Sequence, residues 1–129
     1  MTNKDLVKSC FKALLENAIY DPSVIELYFS KKYMQCVDGV IFNFDQFTMH
    51  IQKLKELTHQ LTLEFNHIIE EGDIVFTNHT VSIEKKDGSR SQIKVLATFI
   101  IKCNQIVYCD ELTYQQNGKT DTSNLGSVV

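Results

Sequence analysis

Residues 61–70 read Leu-Thr-Leu-Glu-Phe-Asn-His-Ile-Ile-Glu, and apolar side chains recur in this stretch at about every second position. A period of two is typical of a β-strand with one buried face, so the stretch predicts a strand whose odd positions, His67 among them, point inward. Residues 44–58 instead repeat apolar side chains at helical spacing. The change of period after Thr58 therefore divides the chain into a mainly helical part and a sheet.

Two more helices are predicted before this change of period. Residues 2–5 form a capping-box pattern, and the apolar side chains that follow favour an amphipathic helix over residues 3–20. The Asp21-Pro22 pair supplies an N-cap and a proline at the first helical position, which predicts a short helix over 23–29.

The remaining elements predict an α+β fold. The Asp-Gly pair at 38–39 is a strong hairpin signal and joins predicted strands at 33–37 and 40–42. Four further strands are predicted at 61–70, 74–84, 92–102 and 106–115. This order predicts a cone-shaped, strongly curved antiparallel sheet wrapped around three N-terminal helices, with a pocket at the open end. We expect one domain over residues 1–116 and a polar tail over 117–129.

Composition excludes several classes of function. The net charge is −3, with acidic and basic residues interleaved, so the chain lacks the basic stripe that a nucleic-acid partner requires. Apolar runs fall short of the roughly 18 residues of a membrane span, and the first residues do not resemble a signal peptide. We therefore expect a cytoplasmic protein without a membrane partner.

Cysteine and arginine usage narrows the chemistry. The four cysteines form no C-x-x-C pair and no zinc-like spacing with histidine, which predicts reduced thiols that pack in the core and no metal site. We also expect no cofactor. Arg90 is the only arginine and lies at a predicted hairpin tip, so a buried arginine clamp on phosphate or carboxylate is not expected.

Histidine and aspartate side chains supply the first candidates for chemistry. His79 falls on the inward face of the strand at 74–84, where pocket lining and a hydrogen bond within the core are equal alternatives. His50 lies on the flank of the third helix, where edge packing is the alternative to a ligand contact. Asp38 is a candidate base at the pocket mouth, with plain turn chemistry as the alternative.

Two adjacent acids on the last strand, Asp110 and Glu111, must point to opposite faces. The buried set favoured by the apolar pattern comprises Ile106, Tyr108, Leu112 and Tyr114. This set would put Asp110 inward. A carboxylate on a dry concave wall has a raised pKa and can act as a general base, whereas an ion-paired carboxylate at the sheet edge is the alternative.

Three short stretches resemble a known family. They are Tyr-Met-Gln-Cys-Val-Asp-Gly at 33–39, Glu-Gly-Asp-Ile-Val at 71–75 and Asn-Gln-Ile-Val-Tyr-Cys-Asp-Glu-Leu-Thr at 104–113. With the order of elements, they make residues 3–115 similar to the nuclear transport factor 2-like (NTF2-like) superfamily. Within it, the chain resembles a small bacterial type of the SnoaL-like branch, which contains polyketide cyclase-like and ketosteroid isomerase-like proteins.

The resemblance implies a site and a partner. It places Glu111 on the pocket wall as the general base, against the apolar pattern that favours Asp110, and we follow the resemblance. It also places His79 on the pocket wall. We expect ligand contacts from Tyr33, Gln35, His50 and Cys109. The implied ligand is a small apolar or carbonyl-bearing molecule, and the implied assembly is a homodimer through the outer face of the sheet.

Departures from the family argue against its steroid isomerase and epoxide hydrolase reactions. Ketosteroid isomerases pair a base near the first hairpin, which Asp38 could match, with a tyrosine and a protonated aspartate as oxyanion donors. Here residues 11–14 hold no tyrosine and residues 91–102 hold no acidic residue. The related epoxide hydrolases need an Asp-Arg-Asp set, which Arg90 at a hairpin tip cannot supply.

Three hypotheses follow. In the first, the chain is an isomerase, cyclase or dehydratase in which Glu111, together with His79, removes or shuttles a proton. In the second, it is a non-catalytic homodimeric module that binds a ligand or a protein, and a pocket below about 300 Å³ would favour this hypothesis. In the third, the polar tail closes the pocket.

Overall fold

The computed structural model describes residues 1–117 and places three helices and six strands in that range. The helices are α1 (Asn3–Leu15), α2 (Pro22–Tyr28) and α3 (Phe44–Leu57). The strands are β1 (Phe29–Val37), β2 (Val40–Asn43), β3 (Thr58–Glu71), β4 (Ile74–Lys85), β5 (Arg90–Lys102) and β6 (Gln105–Asn117). The α+β class is therefore confirmed. The tail expected over 117–129 lies outside the described residues, apart from Asn117, which ends β6.

Helix α1 begins where the sequence predicts and ends earlier. The Thr2 hydroxyl accepts the Asp5 N–H at 3.1 Å, and Asp5 Oδ2 accepts the Thr2 N–H at 3.3 Å, which is the expected capping box. The helix stops at Leu15, well before the predicted end. Just beyond it, Asn17 Oδ1 accepts the Ile19 N–H at 3.1 Å, and this side-chain turn diverts the backbone from the helix.

The first hairpin and the third helix follow from local signals. Asp38 and Gly39 have φ angles of 50° and 85°, and two successive positive values form the tight turn that fits the twist of paired strands. Asn43 then caps α3, because its Oδ1 accepts the Gln46 N–H at 2.9 Å while Gln46 Oε1 accepts the Asn43 N–H at 2.9 Å. These two signals set where β1 ends and where α3 begins.

The six strands form one open, curved sheet in the order β2-β1-β6-β5-β4-β3. Strands β3 to β6 form the predicted antiparallel meander, with β5 in the interior. The sequence predicts an antiparallel sheet, but strand β1 pairs with β6 in parallel. The sheet is therefore mixed. This parallel pair joins the N-terminal hairpin to the last strand and places the end of β1 beside the middle of β6.

A β-bulge in β6 changes which of its side chains face the helices. In the β5–β6 register Ile106 is followed by Tyr108, so Val107 is an extra residue without an opposite partner on β5. Ile106 is buried, but beyond the bulge the odd positions face inward, and Leu112 and Tyr114 are 63% and 69% exposed. The buried set predicted from the apolar pattern is therefore wrong beyond Val107.

A second bulge has the same effect in β3. The β3–β4 register skips Asn66, which is the extra residue. Positions up to Phe65 keep the predicted inward alternation, whereas His67 and Ile69 turn outward, and Ile69 is 61% exposed. The predicted inward orientation of His67 is wrong for this reason.

The core lies between the inner face of the sheet and the helices. Its fully buried side chains include Val7, Ile25, Phe29, Val75, Phe99 and Ile106. Among residues 1–117, no helix has both the length and the apolar character needed to cross a membrane.

Candidate functional site

A cavity of about 110 Å³ lies between the inner face of the sheet, α1 and α3. Most of its wall is apolar, from Phe11 on α1 to Phe99 on β5. The polar or titratable side chains on the wall are Tyr33, Gln35, His50, His79, Cys109, Glu111 and Thr113. The structure therefore brings six of the seven residues predicted for the site to one cavity, and it leaves Asp38 outside the lining.

Glu111 points into the cavity, and Asp110 is exposed on the outer face of β6. The bulge at Val107 is the reason, because it shifts the alternation of the strand by one position. The resemblance therefore predicted the inward carboxylate correctly, whereas the apolar pattern, which favoured Asp110, did not.

The electrostatic environment of Glu111 suits proton transfer near neutral pH. Burial raises the pKa of Glu111 from 4.5 to about 7, with smaller contributions from the negative charges of Asp38 and Asp110. Within residues 1–117 its carboxylate has no hydrogen bond or ion pair. Near pH 7 such a group is present in both protonation states, so it can accept a proton or return one.

His79 is buried in the middle of β4 and is held on several sides. Its Nδ1 lies 2.8 Å from the Thr77 hydroxyl, and the rings of Phe11 and Phe65 lie 5.6 and 5.7 Å from the imidazole, between centroids. Burial lowers the pKa of His79 from 6.5 to about 4. The ring is therefore neutral at pH 7 and both alternatives hold: it lines the cavity, and it is hydrogen-bonded within the core.

Tyr33 and Gln35 form a buried pair on β1. The Tyr33 hydroxyl donates to Gln35 Oε1 at 2.8 Å, which fixes the orientation of the amide and leaves its nitrogen as a donor. Burial raises the pKa of the Tyr33 hydroxyl and of the neighbouring Cys109 thiol well above their ordinary values. Both groups are therefore neutral, and this part of the wall offers hydrogen bonds without charge.

Asp38 lies in the exposed turn between β1 and β2. Its Oδ1 accepts the Thr113 N–H at 2.8 Å, and its Oδ2 accepts the Thr113 hydroxyl. Its own backbone N–H donates to the Glu111 carbonyl at 3.0 Å. This geometry favours the turn interpretation over a base at the pocket mouth.

His50 and Thr113 complete the wall. His50 is 6% exposed on α3, with its ring 5.9 Å from that of Phe42, so it is buried rather than at an exposed edge. Thr113 was missed because the alternation of the last strand was assigned with the wrong phase; counting two positions on from Glu111 would have found it. In the part of the chain that the structure describes, no group of three or more His, Cys, Asp or Glu residues could hold a metal ion.

The sequence is similar to a known protein, and no family model matches it. The chain is similar along its length to C11D3.04c, an uncharacterized protein of the fission yeast Schizosaccharomyces pombe. The two are 29% identical over 126 residues, which cover 98% of this chain and 96% of the yeast protein.

Three solved structures are similar in shape. AclR, a proposed hydroxylase from Streptomyces galilaeus, matches with a TM-score of 0.74 and 16% identity over 86% of this chain and 74% of its own. IdmH, a proposed polyketide cyclase from Streptomyces antibioticus, matches with a TM-score of 0.74 and 11% identity over 87% and 92%. An NTF2-like protein of unknown function from an Exiguobacterium species matches with a TM-score of 0.70 and 18% identity over 88% and 98%. At these identities the shared feature is the fold.

Proposed function

Because the chain has the NTF2-like fold, we propose that its cavity binds a small, mainly apolar, carbonyl-bearing molecule and that Glu111 moves a proton on it. The proposed reaction class is that of an isomerase, cyclase or dehydratase with a general base. The observation that supports it most is a partly buried carboxylate, without a hydrogen-bonding partner among residues 1–117, whose pKa lies near 7.

The chemical step uses groups on the cavity wall. The Glu111 carboxylate accepts a proton from the carbon beside the carbonyl, and the electron pair of the broken C–H bond moves towards the carbonyl oxygen to give an enolate. The same carboxylic acid then returns the proton to carbon, at the original or a neighbouring position. Neutral donors such as the Gln35 amide are placed on the same wall to bind the oxygen as its charge grows.

The volume of the cavity limits the size of the ligand. At about 110 Å³ it is smaller than the ~150 Å³ apolar cavity that binds benzene in an engineered protein. A ring of five or six heavy atoms is therefore the largest ligand that fits without movement of the wall. Cyclopentanone has this size and carries exchangeable protons beside its carbonyl, so it is a suitable probe.

The test is the exchange of the α-protons of cyclopentanone in D2O, followed by 1H NMR. We expect the protein to accelerate exchange, with a rate that rises through about pH 7 as Glu111 ionises. The Glu111→Gln variant should lose about 100-fold or more of this acceleration, the usual contribution of a positioned general base. Glu64→Gln, a change of an exposed carboxylate on β3, should behave like the wild type.

A second function is favoured by the cavity volume itself. A cavity of about 110 Å³ is below the roughly 300 Å³ of a typical ligand pocket, which supports a non-catalytic binding module. This candidate predicts that cyclopentanone shifts the NMR signals of cavity residues while its protons exchange at the rate seen without protein. Exchange at the same rate in the wild type and in Glu111→Gln would also contradict the role of Glu111.

We also propose a homodimer through the outer face of the sheet. Phe76, Leu96, Leu112 and Tyr114 expose 38 to 69% of their surface on this face, and Leu96 lies directly opposite Leu112 in the β5–β6 register. Adjacent exposed apolar side chains of this kind mark interaction surfaces. Lys94 and Asp110 lie on the same face at opposite ends of the patch, so a twofold contact can pair their opposite charges.

Light scattering over a range of protein concentrations tests the dimer. We expect a dimer for the wild type and a monomer for Leu112→Lys, because a buried lysine would lack a partner in the contact. Leu27→Lys is the matched control, since Leu27 on α2 is 66% exposed and Leu112 is 63% exposed. A monomeric wild type at high concentration would overturn this part of the proposal.

The cytoplasm is the location that we propose. All four cysteines are free thiols, and Cys103 is exposed in the turn between β5 and β6, where an oxidising compartment would modify it. Cell fractionation of a tagged chain tests this, and recovery from a secreted fraction with oxidised thiols would contradict it.

A further inference from the structure

We propose that Asp38 is a positioning residue for Glu111: it holds β6 at Glu111 and at Thr113, and it keeps a second negative charge near the partly buried carboxylate. We call the contacts of Asp38 with Glu111 and Thr113 the Asp38 brace, and their geometry is independent of any reaction. Its consequence for proton transfer rests on the function proposed above.

The brace continues the sheet where regular pairing stops. The parallel β1–β6 ladder ends with Val37 opposite Glu111. Asp38 follows, and its backbone N–H donates to the Glu111 carbonyl at 3.0 Å. Its carboxylate reaches further along β6, where Oδ1 accepts the Thr113 N–H at 2.8 Å and Oδ2 accepts the Thr113 hydroxyl. One turn residue thus fixes the backbone of β6 at Glu111 itself and at Thr113, two positions further along the strand.

Turn geometry alone does not require an aspartate at this position. Asp38 has a φ of 50°, a conformation that Asn and Gly adopt equally well in this type of turn. A carboxylate adds two features that those residues lack. It accepts both Thr113 donors at once, whereas an amide offers only one oxygen, and it carries a negative charge.

The charge of Asp38 also acts on Glu111. A negative neighbour disfavours ionisation of a carboxyl group, so Asp38 and, to a smaller extent, Asp110 add to the effect of burial on the pKa of Glu111. The other titratable groups on the cavity wall are Tyr33 on β1, His50 on α3, His79 on β4 and Cys109 on β6. Tyr33, His79 and Cys109 are neutral at pH 7, and the charges that act on Glu111 are those of Asp38 and Asp110.

The decisive experiment measures the pKa of Glu111 in the full chain by NMR titration of its side-chain carboxyl carbon. In Asp38→Asn the amide oxygen can still accept the Thr113 N–H, but the charge is gone. We expect the pKa of Glu111 to fall by about 0.5 to 1. Asp110→Asn is the matched control, because it removes an adjacent charge that makes no contact with Thr113, and it should lower the pKa less.

A third variant separates the hydrogen bonds from the charge. Thr113→Val removes the hydroxyl that donates to Asp38 and keeps the charge. We expect it to broaden or double the NMR signal of the Glu111 carboxyl, because β6 is then held less firmly, with a smaller change in pKa than Asp38→Asn causes.

The outcomes distinguish this inference from the proposed function. The role of Asp38 is overturned if the pKa of Glu111 in Asp38→Asn stays within about 0.2 of the wild-type value. It is also overturned if Asp110→Asn lowers that pKa as much as Asp38→Asn does. Both conclusions hold even if cyclopentanone exchange depends on Glu111. A lowered pKa in a protein that exchanges no protons supports the brace and contradicts the catalytic role. Where exchange occurs, its pH profile should shift to lower pH in Asp38→Asn together with the pKa.

Discussion

The β4 wall and the β6 wall of the cavity differ in how they hold an acid–base side chain, which is the buried His79 on β4 and the partly buried Glu111 on β6. On the β4 wall, His79 is bonded to Thr77 and packed between aromatic rings, and its pKa is lowered to about 4. On the β6 wall, Glu111 has no hydrogen-bonding partner among residues 1–117, and its pKa is raised to about 7. Burial suppresses charge in both, but only on the β6 wall does the protonation state change near neutral pH.

This difference indicates which wall of the cavity can take part in proton transfer. A buried group that is fully packed and neutral over the whole physiological range contributes shape and hydrogen bonding. A partly buried group that is unpaired and titrates at about pH 7 costs stability without an evident structural benefit, which is typical of functional sites. The β6 wall, with the brace from Asp38, is therefore the reactive side of the cavity.

The largest expected effect concerns the β4 wall at acidic pH. Because the pKa of His79 is lower in the folded chain (about 4) than in the unfolded chain (6.5), the unfolded state gains a proton first as the pH falls. The contribution of His79 to the free energy of unfolding therefore falls by up to about 3 kcal/mol as the pH is lowered from 6.5 to 4. Urea denaturation of the wild type and His79→Leu at both pH values should show this loss in the wild type only.

The pH difference, and not the absolute stability, is the quantity to compare for His79→Leu. The variant lacks the hydrogen bond with Thr77, and this lowers its free energy of unfolding by about 1 kcal/mol at every pH. An acid-induced loss of equal size in both proteins would show that His79 is not buried as a neutral ring.

The next effect has the opposite sign and belongs to the β6 wall. The pKa of Glu111 is raised on folding, so the folded chain keeps its proton longer than the unfolded chain, and stability falls as the pH rises from 4.5 to about 7. Since the side chain is partly exposed, solvent screening reduces the expected loss to about 2 kcal/mol. Glu111→Gln should be more stable than the wild type at pH 8 by about this amount, and equally stable at pH 4.

Glu64→Gln again serves as the control for Glu111→Gln in the urea denaturation series. The exposed Glu64 should give the same free energy of unfolding as the wild type at pH 4 and at pH 8. A Glu111→Gln variant that is less stable than the wild type at pH 8 would mean that a partner stabilises the carboxylate, and it would contradict the difference between the β4 and β6 walls.

The smallest effect concerns the neutral Tyr33–Gln35 pair on β1, which lies beside the β6 wall. Tyr33→Phe removes the hydrogen bond to Gln35 and should lower the free energy of unfolding by about 1 kcal/mol. Because both groups are neutral, the loss should be the same at pH 5 and at pH 8. A loss that varies with pH would show that Tyr33 is coupled to the protonation of Glu111.

Much of the fold could be predicted because its signals are local. The capping boxes at Thr2 and Asn43 and the Asp38-Gly39 turn depend on side chains within three residues of each other, and all three are present in the structure. The change to period two after Thr58 likewise predicted the first strand of the antiparallel meander, which begins at Thr58, three residues before its predicted start.

The face of the sheet to which a side chain points could not be predicted beyond a β-bulge. Nothing in the residues near Asn66 or Val107 marks them as extra, because a bulge is a property of the register between two strands. One such residue reverses every later position, and this is why the apolar pattern misassigned Asp110. The resemblance avoided the error, since it matched Glu111 by its place in a motif rather than by counting alternation.

The parallel pairing of β1 with β6 has a consequence for synthesis of the chain on the ribosome. Residues 29–37 leave the exit tunnel long before residues 106–111, their partners, have been translated. The edge of β1 that pairs with β6 must therefore stay without its strand partner until the final strand has been translated. Such late, long-range closure slows folding and exposes a nascent chain to chaperones and to aggregation.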